Sequence, residues 1–490
     1  MGGPDLLKIP FEPALSALRD ALAGHGMPPA QVGAATDLLD VAGVAVVGAA
    51  VAPIAARLYA NAAARVAGVR STAADAPLVL AGLAACVLLL WIVLHPAAQI
   101  EELFIRWDHV AFSALAGGVL AAAPPNARAW ALGLLSIAFM WQYGGHVATP
   151  IVLGASLAGF AALGSRISGR GAGAVLSLGL LGATIYVVSC LFWRRALSLE
   201  ALQTFGLFSF LFLRQISAAV ALAGSARPTL GSYLCYLTFY PGAFGLVGGP
   251  EVYADFSRRN LAGRLHYDPR AAVRGVAWGA LQIWLAYRVP ISLATMYESG
   301  SMLAAWESSL LLFLRAALYG MGLWSMVDAT ALFHGFRLHP NFRGILTRQN
   351  PSELWWAWRG TFTNWLVRHV YAPLGANQRH QALNILAAFA VSWLWHVLGT
   401  PFLSKQFRPL QLAPITFWAT VNAVAVIGHI EFRRRGLRLL PRATPPLLRR
   451  AIHIFLTACL GTFAVTFLLL QGDLIDRFVP FLRVLVGLGR

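Results

Sequence analysis

Residues 381–399 read QALNILAAFAVSWLWHVLG, and residues 412–430 read LAPITFWATVNAVAVIGHI. Each run is close to the roughly 20 mostly apolar residues that a membrane-spanning helix requires. The connection between the runs is short, and its basic residues are Lys405 and Arg408. The two runs therefore predict a hairpin of two helices that cross a membrane in opposite directions.

Arginine-rich segments flank this hairpin on both sides. Six arginines lie within 337–379, and seven lie within 433–450. Because basic residues accumulate in the cytoplasmic segments of membrane proteins, both flanks are predicted to be cytoplasmic. Two crossings return the chain to the side from which it started, so the two predictions agree with each other.

The composition of the whole chain indicates a membrane protein. Of the 490 residues, 58% are hydrophobic and 12% are charged, whereas soluble domains average about 45–50% and about 25%. The net charge of +18 comes mainly from arginines in short connecting segments, which argues against nucleic-acid binding. The excess of alanine and arginine suggests a bacterial protein, and hence one of the cytoplasmic (inner) membrane. The four cysteines show no metal-ligand spacing, and we expect no bound metal or cofactor.

Further apolar runs extend this pattern over most of the chain. Together they predict an all-α integral membrane protein with roughly 10–13 transmembrane or re-entrant helices. Residues 1–36 are interpreted as an amphipathic leader and residues 37–490 as one polytopic domain, with a signature region at 229–430. The other runs lie at 41–60, 77–98, 109–123, 127–142, 147–165, 173–193, 203–224, 229–249, 272–296, 305–334 and 451–470.

His396 is the ionisable residue that this pattern singles out. It lies about 22–24 Å from the cytoplasmic start of its helix, past the middle of a hydrocarbon core about 30 Å thick. A titratable side chain at that depth is a functional candidate, and a histidine hydrogen-bonded between packed helices is the alternative. Ser392 lies one turn earlier on the same face. It either orients the imidazole or bonds its own i−4 carbonyl.

The stretch 354–396, LWWAWRGTFTNWLVRHVYAPLGANQRHQALNILAAFAVSWLWH, resembles the signature region of the membrane-bound O-acyltransferase superfamily. The resemblance is to the bacterial branch that contains the alginate O-acetyltransferase membrane component and the teichoic-acid D-alanyl transfer protein. It covers about 150 residues of the C-terminal two-thirds of the chain. The matching positions are Trp355, Trp358, Trp365, Tyr371, Pro373, Leu374, Gly375, Asn384, Trp395 and His396, with Gly249 and Pro250 upstream.

This resemblance implies an enzyme in which His396 takes the proton from an acceptor hydroxyl, and the alkoxide then attacks a thioester. The implied donor is acyl-CoA, with acetyl-CoA first, or an acyl-carrier thioester on the cytoplasmic side. The implied acceptor is a hydroxyl of an extracytoplasmic polysaccharide or of an acyl-relay partner protein, reached among membrane lipids. Trp358, Trp393, Trp395 and Asn384 become candidates for tunnel-lining or orienting residues, although packing explains the tryptophans equally well.

The chain departs from that branch at Arg359, where the branch carries a second histidine. A guanidinium remains protonated at working pH and cannot relay a proton. Arg359, together with Arg368 and Arg379, is therefore a candidate for binding donor phosphate, and Arg359 alternatively for stabilising the thioester oxyanion. The positive-inside rule explains the same three arginines without any ligand.

Two other functions are compatible with the pattern. Within the same fold, the alternative is D-alanyl or long-chain acyl transfer to a lipid or a cell-wall polymer. Outside it, the alternative is a transporter or flippase. Transporters tend to show repeated halves with broken helices, and no such repeat is visible in this sequence.

Overall fold

A computed structural model describes residues 127–144, 213–221, 229–238, 250–261, 268–291, 300–333, 335–403, 412–441, 443–465 and 476–488, with isolated positions in 17–24 and 154–161. Over these ranges the regular structure is helical, and they contain no β-strand. The predicted runs at 41–60, 77–98, 109–123 and 173–193, the N-terminal leader up to residue 16, and the connection holding Lys405 lie outside the described residues.

The helices are numbered here in chain order. They are α1 (Arg128–Gly144), α2 (Leu230–Thr238), α3 (Tyr253–Phe256), α4 (Pro269–Arg288), α5 (Met302–Phe333), α6 (Pro351–Trp358), α7 (Gly360–Leu366), α8 (Gln381–Leu403), α9 (Leu412–Arg434), α10 (Pro446–Val465) and α11 (Phe478–Leu485). Single π-helical turns follow α3 at Ser257–Leu261 and α7 at Val367–Tyr371, and a 3₁₀ turn lies at Ile345–Thr347.

Most of the apolar runs that fall on described residues form helices at the expected places. The run predicted at 272–296 is an exception, because α4 ends at Arg288. Pro290 explains the early end, since a proline disfavours the helical conformation of the residue before it. Within the described residues, two helices are long and apolar enough to cross a membrane, Met302–Ala329 and Leu412–Arg434. The full number of 10–13 stays a prediction.

Helices α4 and α5 pack closely because glycines line their contact. A Cβ atom added at Gly279 would lie 2.7 Å from the carbonyl oxygen of Gly322, and one added at Gly275 would lie 3.0 Å from the Cβ of Ala329. Small residues spaced four apart let helix backbones approach in this way inside membranes. The pair forms the centre of the buried core that supports the rest of the described fold.

The predicted hairpin is formed by α8 and α9, which pack side by side and antiparallel. Arg434 of α9 donates to the side-chain oxygen of Gln381 at the start of α8 (2.7 Å). Further along, the indole nitrogen of Trp393 donates to the hydroxyl of Thr416 (3.0 Å). The orientation of this hairpin across the membrane stays a prediction.

The polar interval 335–380 folds back along α5. Phe342 packs against Gly320, and the ring of Trp358 stacks on Phe313 with a centroid distance of 6.1 Å. Phe313 lies 20 residues before the end of α5, so the interval reaches roughly 30 Å along that helix. Its middle part forms α6 and α7, which have a buried apolar face, and its cytoplasmic location stays a prediction.

Candidate active site

A cavity of about 510 Å³ lies between the α6–α7 unit and the α8–α9 hairpin. Helix α8 lines it along one face, because the contributing residues are spaced three or four apart. From Gln381 to His396 the cavity follows α8 for about 22 Å. The α8 residues in the lining are Gln381, Ile385, Ala388, Phe389, Ser392 and His396.

The two ends of the cavity differ in character. At one end the lining includes Asn377, which accepts hydrogen bonds from Tyr371 and, at 2.8 Å, from Gln381. Asn377 is exposed, so this end forms a polar mouth. Toward the other end, His396 is bordered by the rings of Trp418 and Trp395, at centroid distances of 4.8 Å and 5.3 Å.

The orientation of the His396 ring is set by its own helix. Its Nδ1 lies 2.7 Å from the backbone carbonyl oxygen of Ser392. Because a carbonyl oxygen only accepts, Nδ1 must carry the proton, and in the neutral ring Nε2 is then the nitrogen that can accept one. Ser392 lines the cavity, but it orients the imidazole through its backbone rather than through its hydroxyl.

Arg359 lines the same cavity from the junction of α6 and α7. Its backbone leaves the helical region there (φ −140°, ψ 70°), which breaks the two helices apart. Burial lowers the pKa of Arg359 to about 10, so the guanidinium remains charged at neutral pH. It is close enough to His396 for the two groups to interact electrostatically. A fixed cation beside a base can stabilise a developing oxyanion.

The other two candidate arginines are exposed and do not line the cavity. Arg368 acts on Asp255 of α3 instead. Burial alone would raise the pKa of Asp255, but the hydrogen bond from Asn364 (3.0 Å), the charge of Arg368 and the ion pair with Arg258 together lower it. Arg379 lies two residues before Gln381 and therefore near the polar mouth.

The remaining candidates, three tryptophans and Asn384, lie in different parts of the site. Trp358 lines the cavity. Trp393 points to α9 through its bond to Thr416, and Trp395 packs on Phe362 at a centroid distance of 5.3 Å. The amide of Asn384 donates to the carbonyls of Ala376 (2.9 Å) and Arg379 (2.7 Å), so it holds the turn that precedes α8.

Trp418 was missed from the sequence although it faces His396 directly. The hairpin prediction placed Trp418 on the partner helix α9, but only the packing of α9 against α8 shows that its ring lies against His396. The described residues contain no group of three or more His, Cys, Asp or Glu side chains that could hold a metal ion.

Comparison with known proteins places this site within a family. A family model described as MBOAT, the membrane-bound O-acyltransferase family, matches residues 179–429, just over half of the chain. A probable alginate O-acetylase of Pseudomonas putida is 24% identical over 136 residues, which are 24% of this chain and 28% of that protein.

Two fungal proteins are similar over a shorter stretch. A membrane-bound O-acyltransferase of Millerozyma farinosa is 36% identical over 77 residues, 15% of this chain and 14% of its own. One of Schizosaccharomyces pombe is 43% identical over 74 residues, 15% of this chain and 12% of its own. The chain thus spans only about a quarter or less of the curated relatives that it matches.

Proposed function

We propose that this chain, which belongs to the membrane-bound O-acyltransferase family, transfers a short acyl group, foremost acetyl, to a hydroxyl. The donor is a cytoplasmic thioester, acyl-CoA or an acyl-carrier thioester. The acceptor is an extracytoplasmic polysaccharide or an acyl-relay partner protein. The observation that carries the proposal is the pairing of His396 and Arg359 in one cavity that opens at a polar mouth.

The chemistry assigned to His396 follows from its tautomer. Nε2 takes the proton from the acceptor hydroxyl, and the alkoxide attacks the thioester carbonyl. A carbon–oxygen bond forms, the carbon–sulfur bond breaks, and the departing thiolate takes the proton back from the imidazolium. The negative charge that develops on the carbonyl oxygen lies where Arg359 can stabilise it, so Arg359 contributes to the transition state.

The length of the cavity supports a donor carried on a flexible arm. About 22 Å separate Gln381 from His396 along α8, so a thioester that reaches His396 leaves the phosphates of its donor at the mouth. Arg434 donates to Gln381 there, and the exposed Arg379 lies close by in sequence. Arginine suits phosphate through its two-pronged geometry. We therefore assign donor phosphate to the mouth rather than to Arg359.

The apolar lining favours one second candidate, which is long-chain acyl transfer to a lipid. Ile385, Phe389, Val426 and Ile430 line the cavity between its ends, and an extended hydrocarbon chain would bury well against them. The same catalytic pair would serve either acyl group. In both cases we place the protein in the cytoplasmic membrane of a bacterium, with several spans.

A panel of acyl-CoAs of increasing chain length tests the proposal on the purified protein in lipid nanodiscs. Release of free thiol and mass spectrometry of an O-acetylatable polysaccharide report transfer. His396→Ala should lower the rate by about 10²–10⁴-fold, the usual contribution of a general base. The control is His453→Ala in α10, which should keep the wild-type rate. Wild-type transfer by the His396 variant would refute the assignment, and a preference for long chains would select the second candidate.

A further inference from the structure

The start of α7 is capped by a residue from a distant part of the interval. Arg359 occupies the N-cap position and makes no side-chain capping bond, because a guanidinium has donors but no acceptor. Instead, the side-chain oxygen of Asn341 accepts from the backbone nitrogen of Thr361 (2.8 Å) and from its hydroxyl (3.2 Å). Helix N-termini need such an acceptor, and here Asn341 supplies it in place of Arg359.

The loop that carries Asn341 is itself anchored to the segment around α3. Asn260 donates to the carbonyl of Arg337 (3.1 Å) and accepts from its backbone nitrogen (2.8 Å). Two residues later, the backbone nitrogen of His339 donates to Glu251, whose second oxygen pairs with Arg259. Glu251 and Asn260 are 6% and 3% exposed. These buried polar contacts therefore fix loop 337–341 to the segment around α3.

The same loop is in close contact with Gly360, the residue that follows Arg359. A Cβ atom at Gly360 would overlap the carbonyl oxygen of Pro340 and would also approach the ring of His339. Such an approach of two backbones requires glycine. Loop 337–341 thus contacts α7 at Gly360 through Pro340 and at Thr361 through Asn341. Both contacts are next to Arg359.

We propose that Asn341, backed by the Glu251 and Asn260 contacts, is a positioning residue that sets the guanidinium of Arg359 in the cavity beside His396. The inference rests on the proposed function, because it assigns Asn341 an effect on acyl transfer. Asn341 does not line the cavity. It acts through the backbone of α7. The Asn341 cap and the close contact of Pro340 with Gly360 fix the start of this helix, and the start of the helix fixes the direction in which the Arg359 side chain points.

A double-mutant cycle on the full-length protein in nanodiscs tests this inference. The four proteins are wild type, Asn341→Ala, Arg359→Gln and the double variant, and kcat and KM for the acyl-CoA are measured for each. Asn341→Ala should lower kcat about 10-fold or more, as expected when a catalytic group is misplaced, with a smaller change in KM. In the Arg359→Gln background the same substitution should change kcat less than twofold.

Conservative variants separate positioning from general damage. Asn341→Asp keeps the acceptor for Thr361. It should keep kcat within about threefold of wild type, because Asp caps helices as well as Asn does. If Asn341→Ala does not insert, Asn341→Leu, which has a similar branched shape and no acceptor, replaces it, and the same coupling to Arg359 is expected. Asn341→Ala should also speed amide hydrogen exchange at 360–363, which reports the cap without reference to activity.

Asn350→Ala is the matched control. Asn350 caps α6 by accepting from the backbone nitrogen of Glu353 (3.0 Å), at the far end of that helix from Arg359. Its loss should affect kcat equally in both backgrounds. Equal losses for Asn341→Ala in both backgrounds, in a protein that transfers acyl groups, would overturn the positioning role alone. A wild-type protein with no acyl transfer would instead overturn the proposed function, and this role with it.

Discussion

Replacing Gly360 by alanine tests how tightly the structure holds Arg359. The added methyl group would lie closer to the Pro340 carbonyl oxygen than the 3.0 Å below which real Cβ contacts are essentially never found. The obstacle is backbone rather than a flexible side chain, so α7 or loop 337–341 must move, by about 1 Å. A displacement of that size at a catalytic group costs about 10²-fold in rate, and overpacking costs about 1–3 kcal/mol of stability.

The assay measures kcat with saturating acyl-CoA and thermal unfolding in nanodiscs. Gly428→Ala in α9 is the control, because no described atom lies within 4 Å of a Cβ added there. Alanine in that helix should raise stability by roughly 0.5–1 kcal/mol and leave kcat unchanged. A Gly360→Ala protein with kcat within twofold of wild type would refute the claim that this contact fixes Arg359.

Two further predictions concern the arginines Arg359 and Arg379 and the histidine His369. Arg359→Gln should lower kcat by about 10²-fold or more with little change in KM. Arg379→Gln should instead raise KM for acyl-CoA with little change in kcat. The reverse pattern in steady-state kinetics would contradict the assignment of the oxyanion to Arg359 and of the donor phosphate to the mouth near Arg379. Burial, and after it the charge of Arg368, lowers the pKa of His369 from 6.5 to about 4. Its neutral form, hydrogen-bonded to Ser217 (3.0 Å), therefore stabilises the fold above pH 6.5. This contribution to stability is lost as the pH falls toward 4. His369→Gln should therefore show a weaker fall in Tm between pH 7 and pH 4 than wild type, and identical curves would exclude this role.

The sequence alone determined the class of protein and its most conspicuous residue. A chain with 12% charged residues and long apolar runs buries its surface in lipid whatever its exact fold, because backbone polar groups in a membrane must pair within helices. The hairpin of α8 and α9 follows from run length alone. His396 stands out because an ionisable group at that depth requires a reason. Each of these conclusions depends on local composition or spacing.

The residues that accompany His396 were decided only by the tertiary structure. The sequence made Arg359, Arg368 and Arg379 all candidates for binding donor phosphate, and the break between α6 and α7 brings Arg359 alone of the three into the cavity lining. Ser392 acts through a carbonyl, Trp418 contacts His396 from the other helix of the hairpin, and Asn341 caps a helix 20 residues away. The Asn341 contact depends on how loop 337–341 packs against Gly360. No periodicity in the sequence encodes that packing, because it is set by the shapes and hydrogen-bonding needs of segments that meet only after the chain has folded.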